Sequence, residues 1–291
     1  MHSRTIEIKP YINWLQFQRI ARHRISYLEY GDPDNPNVIV CAHGLTRNAH
    51  DFDKIAAVLQ SSFRVISISY PGRGESDYFT NKNHYNYQVY IKDTLFFLKH
   101  LNIHKPLWLG TSMGGLIGMS IAARRSPILK GLILNDIGPF IPGSTLVRIS
   151  KYAGQTPSFN DLTTAKQHLK MIYGQFGVVS EEDWDYMTKH SVKLNTEGQY
   201  QMVYDPALIR GMQVNSNNPK DVKIWPLWHK ISCPLMVIHG AKSDILQPKT
   251  IEEMKRTKNF ELYTVDYAGH APALMSHDQI EPIRLWLEKF V

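Results

Sequence analysis

The run Leu107-Trp108-Leu109-Gly110-Thr111-Ser112-Met113-Gly114-Gly115-Leu116-Ile117-Gly118 decides the fold. Leu107, Trp108 and Leu109 suit a parallel strand covered on both faces. Gly110-Thr111-Ser112-Met113-Gly114 then matches G-x-S-x-G, the strand–turn–helix pattern that lifts a serine hydroxyl to the top of a sheet. A side chain two positions before or after Ser112 would strike the neighbouring strand or helix, so both places are glycine. Gly114, Gly115 and Gly118 let the following helix pack close to the sheet. Its positive N-terminal end points to where an oxyanion would form.

G-x-S-x-G alone arises often by chance, so the flanking order carries the argument. Val38–Ala42 is a buried strand ending in His43-Gly44-Leu45-Thr46, and 48–60 reads as a helix with Phe52, Ile55, Ala56 and Leu59 on one face. Arg64–Ser69 is the next strand, followed by Pro71-Gly72-Arg73-Gly74-Glu75-Ser76. A helix over 87–101 precedes the serine turn, and 129–134 is a further strand ending in Asn135-Asp136. Upstream, 14–20 and 24–30 read as two antiparallel edge strands. Strand and helix alternate, which implies a parallel sheet with right-handed crossovers and helices on both faces. Ligand sites in such sheets lie at the carboxyl ends of the strands.

The alternation stops after Asp136. Gly138-Pro139 and Pro142-Gly143 break it, and no buried strand is evident until 233–240. The expected division is a core of residues 1–138 and 231–291 with an all-helical cap at 139–230, including helices at Leu162–Tyr173 and 181–194. Met171, Tyr173, Phe176, Trp184, Tyr186, Met187 and Met212 are candidates for a pocket lining or for the cap's own small core. The alternation resumes with the strand at 233–240, ending near Asp244, a helix at 249–256, a strand at 260–265, then Gly269-His270-Ala271-Pro272 and a helix at 277–290.

A serine hydroxyl needs a base, and the base needs an orienting acid. His270 is the candidate base. Asp244 is the preferred acid, because its strand precedes that of His270; Asp136 is the alternative, its other reading being a loop-capping residue at the cap hinge. The chain order Ser112, Asp244, His270 is that of α/β-hydrolases. The backbone N–H groups of Leu45 and Met113 are the expected oxyanion donors. His43 is read as shaping the loop beside them, His50 as part of a helix start and His239 as a buried strand end. No histidine pair has the helical spacing of a zinc motif, so no metal is expected.

The segments His43 to Thr46, Pro71 to Ser76, Gly110 to Gly115, Gly240 to Asp244 and Gly269 to Pro272 together resemble a Ser-nucleophile member of the α/β-hydrolase superfamily. The runs Leu134 to Pro139 and Gly269 to Leu274 are further similar to a bacterial subgroup of esterase-like members. The resemblance implies a mostly parallel eight-stranded sheet, a helical cap, and carboxylic-ester or related acyl hydrolysis of small to medium esters or lactones without a cofactor. Many relatives carry Asp before the Pro-Gly-x-Gly turn, where this chain has Ser69-Tyr70. Dehalogenase and epoxide-hydrolase relatives place Asp at the nucleophile position, so Ser112 argues against both chemistries. The runner-up is a C–C hydrolase of the meta-cleavage type, with Arg148 or Arg210 reading a second substrate carboxylate. A non-catalytic receptor or scaffold use of the fold would go with a degraded triad, and this one is intact.

Composition bounds the rest. The chain has 291 residues, 43% hydrophobic and 20% charged, values of an ordinary globular protein. No apolar run approaches the roughly 20 residues that cross a bilayer. Met1 to Pro10 shows no secretory h-region, so a cytoplasmic location is expected. Cys41 and Cys233 read as buried free thiols. The formal charge of +7 and pI near 9.2 raise nucleic acid or acidic membrane as partners. The basic residues are scattered and no motif supports either, so the expected partner is a small-molecule ester, with no membrane insertion and a monomeric or homodimeric state.

Overall fold

Ile39 and Cys41 face one packed layer and Val40 and Ala42 the other, the period of two that a strand imposes on an apolar run. Leu107 and Leu109 against Trp108, and Ile133 against Leu132 and Leu134, divide in the same way. The structure, a computed structural model, describes residues 1–13, 18–212 and 215–291. Its main sheet comprises β1 (His2–Ile8), β2 (His23–Tyr30), β3 (Val38–Ala42), β4 (Arg64–Ser69), β5 (Leu107–Thr111), β6 (Gly131–Asn135), β7 (Leu235–Gly240) and β8 (Glu261–Val265). Their spatial order is β1-β2-β4-β3-β5-β6-β7-β8. β2 pairs antiparallel with both β1 and β4, and β3 to β8 pair in parallel, the mostly parallel sheet expected of this fold class.

The helices are α1 (Asp53–Leu59), α2 (Tyr87–His100), α3 (Met113–Ala122), α4 (Gly143–Ala153), α5 (Leu162–Tyr173), α6 (Glu181–Lys189), α7 (Trp225–Lys230), α8 (Pro248–Thr257) and α9 (His277–Leu287). α1 and α9 cover one sheet face through Ile55, Leu59, Ile283 and Trp286. α2, α3 and α8 cover the other through Phe97, Ile117, Ile121 and Met254. The site depends on two glycines at the β5–α3 turn. A Cβ on Gly114 would lie 2.0 Å from the Ala42 carbonyl oxygen, and one on Gly110 would lie 2.4 Å from the Gly114 backbone.

Three expectations change. The partner of β2 is β1, in register Ile6 to Ile25 and Ile8 to His23, not 14–20. Only Ile6 and Ile8 of β1 are buried, so this edge strand carries little apolar signal. Residues 18–20 pair instead with Tyr11–Asn13, and 14–17 lie outside the described residues. The helix expected over 48–60 divides into a 3₁₀ turn (Ala49–Phe52), capped by the Asn48 side chain, and α1. The 139–230 segment is not all-helical. It contains α4 to α7, but Ser158–Phe159, Tyr200–Met202 and Val192–Leu194 form a small antiparallel sheet, and Val222–Lys223 pairs with Phe140–Ile141. α6 ends at Lys189, and Val192–Leu194 form a strand. Strands of two or three residues are too short to declare a period of two.

The parallel register aligns the strand ends. Ala42 lies beside Gly110, Thr111 beside Asn135, Asn135 beside Ile238, and Gly240 beside Val265. The loops carrying Leu45, Ser112, Asp136, Asp244 and His270 therefore leave one rim.

Candidate active site

Ser112 holds φ +51°, ψ −110°, a conformation a non-glycine residue keeps only where its surroundings over-determine it. Its N–H donates to the Asn135 carbonyl at 3.1 Å, and the Gly114 N–H to the His43 carbonyl at 3.2 Å, which pins the turn from both sides. The Ser112 Oγ lies 2.9 Å from His270 Nε2. His270 Nδ1 lies 2.8 Å from Asp136 Oδ2. An ionised carboxylate only accepts, so Nδ1 carries the ring proton and Nε2 is free to accept from the serine hydroxyl. Serine, imidazole and carboxylate thus form one hydrogen-bonded chain able to move a proton off Ser112.

Asp136 is fully buried at the end of β6. The Gly240 N–H donates to Oδ1 at 2.9 Å and the Ser243 hydroxyl to Oδ2 at 2.5 Å. His239 Nδ1 stands farther off, 3.4 Å from Oδ1. Burial pushes the Asp136 carboxyl up, but the two histidines and the Ser243 hydroxyl outweigh it and hold it below the usual carboxylate value. His239 and Ser243 as neighbours of the acid were missed by the sequence reading; both lie on β7 or in its loop, where only the strand register brings them to Asp136.

Asp244, the preferred acid, does not meet His270. Its carboxylate is two-fifths exposed and takes a bidentate pair from Arg148 of α4, Nε to Oδ2 at 2.9 Å and Nη2 to Oδ1 at 2.9 Å. The loop after β7 spends Gly240 and Ser243 on Asp136, so the next residue, Asp244, points outward to the inserted segment. Asp136, the alternative acid, occupies the place beside the base.

Behind the serine turn, His43 is fully buried. Its Nε2 accepts from the Tyr70 N–H at 3.0 Å, so Nδ1 carries the proton toward the Gly44 carbonyl at 2.6 Å. Burial, then the Arg73 charge, push His43 down to about 3. The folded state therefore refuses a proton that the unfolded chain takes, and stability falls as pH drops from 6.5 toward 3. At pH 4.5 this group alone costs about 3 kcal/mol, at 1.36 kcal/mol per unit. Denaturant melts of wild type and His43→Gln at pH 7.5 and 4.5 check it: the variant, weaker at pH 7.5, loses about 2–3 kcal/mol less on acidification.

Arg73 is also fully buried, and among the described residues it pairs with no carboxylate. Nε donates to the Leu45 carbonyl at 2.8 Å, and Nη1 to the Pro71 carbonyl and the Tyr90 hydroxyl, each at 2.8 Å. Nη2 sits 3.2 Å from Met113 Sδ. One guanidinium thus braces both residues whose N–H groups were expected to face the oxyanion. Neither of those N–H groups has an acceptor among the described residues. Arg73→Met leaves three acceptors unpaired and should cost about 2–4 kcal/mol. If Arg73 sets the loop, kcat falls by about 10-fold or more with KM little changed, and Arg73→Lys recovers part of it; steady-state kinetics with a thermal melt tests this.

Two cavities meet at Ser112. One, beneath the inserted segment, is apolar, with Leu116, Ile137, Ile141, Leu146, Ile149 and Met212 on its wall. The other opens outward past His270 and is bordered by Arg47, His50, Phe176, Tyr186, Met187 and His190. Of the segment's aromatic and methionine candidates, Phe176, Tyr186, Met187 and Met212 line cavities at Ser112, Tyr173 and Trp184 are buried in the core, and Met171 is exposed. Arg210 is exposed and lines neither cavity; Arg148 is engaged by Asp244.

The family model of the alpha/beta hydrolase fold matches residues 37–275, and the chain belongs to that family. It is 37% identical over 268 residues to a protein of Cupriavidus necator named 3-hydroxybutyrate-oligomer hydrolase, covering 89% of this chain and 90% of that one. A solved structure titled as a hydrolase from Rickettsia typhi is 53% identical, with TM-score 0.95 and 100% of each chain covered. An alpha/beta hydrolase from Novosphingobium aromaticivorans is 30% identical, with TM-score 0.84 and 98% of each chain covered. The protein is thus a hydrolase of the α/β fold. Among the described residues no helix is long and apolar enough to cross a membrane.

Proposed function

We propose that the protein is a serine esterase that cleaves esters of short hydroxy acids, with linear 3-hydroxybutyrate oligomers as its substrate class. The observation that carries the reading is the continuous chain Ser112 Oγ–His270 Nε2 and His270 Nδ1–Asp136 Oδ2 at the meeting of two cavities. The oligomer class comes from the Cupriavidus relative. Ser112 Oγ attacks the ester carbonyl as His270 Nε2 takes its proton. The oxyanion accepts from the Leu45 and Met113 N–H groups, and Asp136 holds the imidazolium. The alkoxide leaves with the proton from Nε2. Water, deprotonated by the same nitrogen, then cleaves the acyl-enzyme. The apolar cavity takes the acyl part; the outward cavity, with its polar wall, takes the leaving hydroxy acid. The segment 139–230 acts as the cap that closes both. Arg148, spent on Asp244, leaves the C–C hydrolase reading without its expected carboxylate contact.

The test is chromatographic. The wild-type protein incubated with the linear dimer and trimer of 3-hydroxybutyrate should release monomer, and p-nitrophenyl esters should show an optimum at short acyl length. A folded protein that cleaves no ester above background overturns the reading. Cleavage of p-nitrophenyl esters but not of the oligomers overturns the substrate class alone.

A further inference from the structure

A second cluster of ligating side chains stands at the mouth of the outward cavity. His50 lies in the 3₁₀ turn before α1, where the Asn48 side chain accepts from its N–H at 3.0 Å. Asp53 opens α1, and His190 caps the end of α6. A ring nitrogen from each histidine and a carboxylate oxygen of Asp53 all lie within 4.8 Å of one another. His50 Nδ1 is 2.7 Å from Asp53 Oδ2, and the Tyr30 and Tyr186 hydroxyls donate to the same carboxylate. The His190 ring stacks on His50 with centroids 3.8 Å apart, and among the described residues its nitrogens have no hydrogen-bond partner.

We propose that His50, Asp53 and His190 form a binding site for one divalent transition-metal ion of the zinc type, which ties the cap to the core at the pocket mouth and slows turnover. Two imidazoles and one carboxylate suit zinc, nickel or copper; magnesium and calcium prefer sets made of oxygen. A tetrahedral ion with bonds of about 2.1 Å wants donors about 3.4 Å apart, so closing the set needs shifts of about an ångström. The rings are stacked, so the partly buried His190 ring has to turn about its Cβ–Cγ bond to aim a nitrogen at the ion. His50 presents Nδ1 to the ion in the tautomer that carries its ring proton on Nε2. Tyr30 and Tyr186 stay on the carboxylate and hold its orientation, as outer partners do at metal sites. Water completes the shell.

Position gives the consequence. His50 and His190 border both the cavity that reaches Ser112 and a separate surface cleft, so an ion has a path in from solvent. Two ligands belong to the core and one to the cap, so the bound ion resists separation of the two. His50 and Asp53 are three positions apart, but the second histidine lies in the inserted segment, so no histidine-pair spacing marks the site. The slowed turnover rests on Ser112 being the nucleophile; the binding does not.

The experiment is calorimetric titration of the chelator-stripped full-length protein with zinc chloride. One ion per chain is expected, with Kd of about 10 µM or tighter, and His190→Gln or Asp53→Asn should weaken it at least 10-fold. Zinc should raise the melting temperature of wild type and not of His190→Gln. Saturating zinc should slow wild-type ester turnover several-fold, reversed by chelator, while His190→Gln, compared with its own metal-free rate, is spared. Superimposable titrations of wild type and His190→Gln place the ion on other histidines and overturn the site, as does Kd weaker than about 1 mM. Binding as expected with unchanged turnover overturns the regulatory half. If the protein turns over no ester, the esterase reading fails while calorimetry still decides the metal site.

Discussion

Asp136→Asn should lower kcat on a p-nitrophenyl ester by about 10³–10⁴-fold, while Asp244→Asn stays within about threefold of wild type. The two acids leave neighbouring strands of the same rim, yet only Asp136 touches His270 Nδ1, at 2.8 Å. An asparagine there presents an amide in place of a full negative charge. It leaves the imidazole free to take the wrong tautomer, with Nε2 protonated and useless as a base. It also loses an acceptor for the Gly240 N–H or the Ser243 hydroxyl, so the melting temperature has to be read beside the rate. Asp244→Asn gives up only a half-exposed ion pair with Arg148, worth roughly 0–1 kcal/mol. Equal losses in the two variants, with both folded, would refute the assignment of the acid.

Ser112→Ala should remove at least 10³-fold of kcat/KM, leaving whatever the oxyanion donors and binding supply alone. The turn itself should survive, because its geometry rests on the glycines and the backbone bonds to Asn135 and His43 rather than on the hydroxyl. A fluorophosphonate probe separates loss of the nucleophile from loss of the pocket. Wild type should gain one adduct by intact mass, mapped to Ser112, and the variant none. Adduct formation in Ser112→Ala would place the nucleophile elsewhere.

Much of the rim is written locally. Gly110 and Gly114 announce the serine turn because backbone stands where their side chains would be, and the buried runs Leu107–Leu109 of β5 and Leu132–Leu134 of β6 are unbroken apolar. The choice of acid is not local. Ser, Asp, His is the chain order with either aspartate, so order cannot separate them. The clue lies in the surroundings: Asp136 ends an apolar strand and is followed by Ile137, while Asp244 follows Lys242 and Ser243 in a polar loop. A buried acid flanked by apolar residues needs several donors, and those come from β7, the loop after it and His270, all more than a hundred positions away. β1 escaped because a strand with one exposed face and few apolar residues looks like a polar tail.

The loop that carries His270 is sewn to the inserted segment 139–230. The Gly269 N–H donates to the Gln175 carbonyl at 2.6 Å and the Ala273 N–H to the Phe176 carbonyl at 2.8 Å. The fully buried Gln279 accepts from the Leu274 N–H at 2.7 Å and donates to the Gly177 carbonyl at 3.1 Å. Residues 174–177 and 269–279 therefore behave as one heritable unit across two regions of the gene. A chimera that grafts a relative's inserted segment onto this core should keep its base aligned only when both pieces are exchanged together. Swapping residues 139–230 alone cuts through that seam and leaves the imidazole resting on a foreign edge.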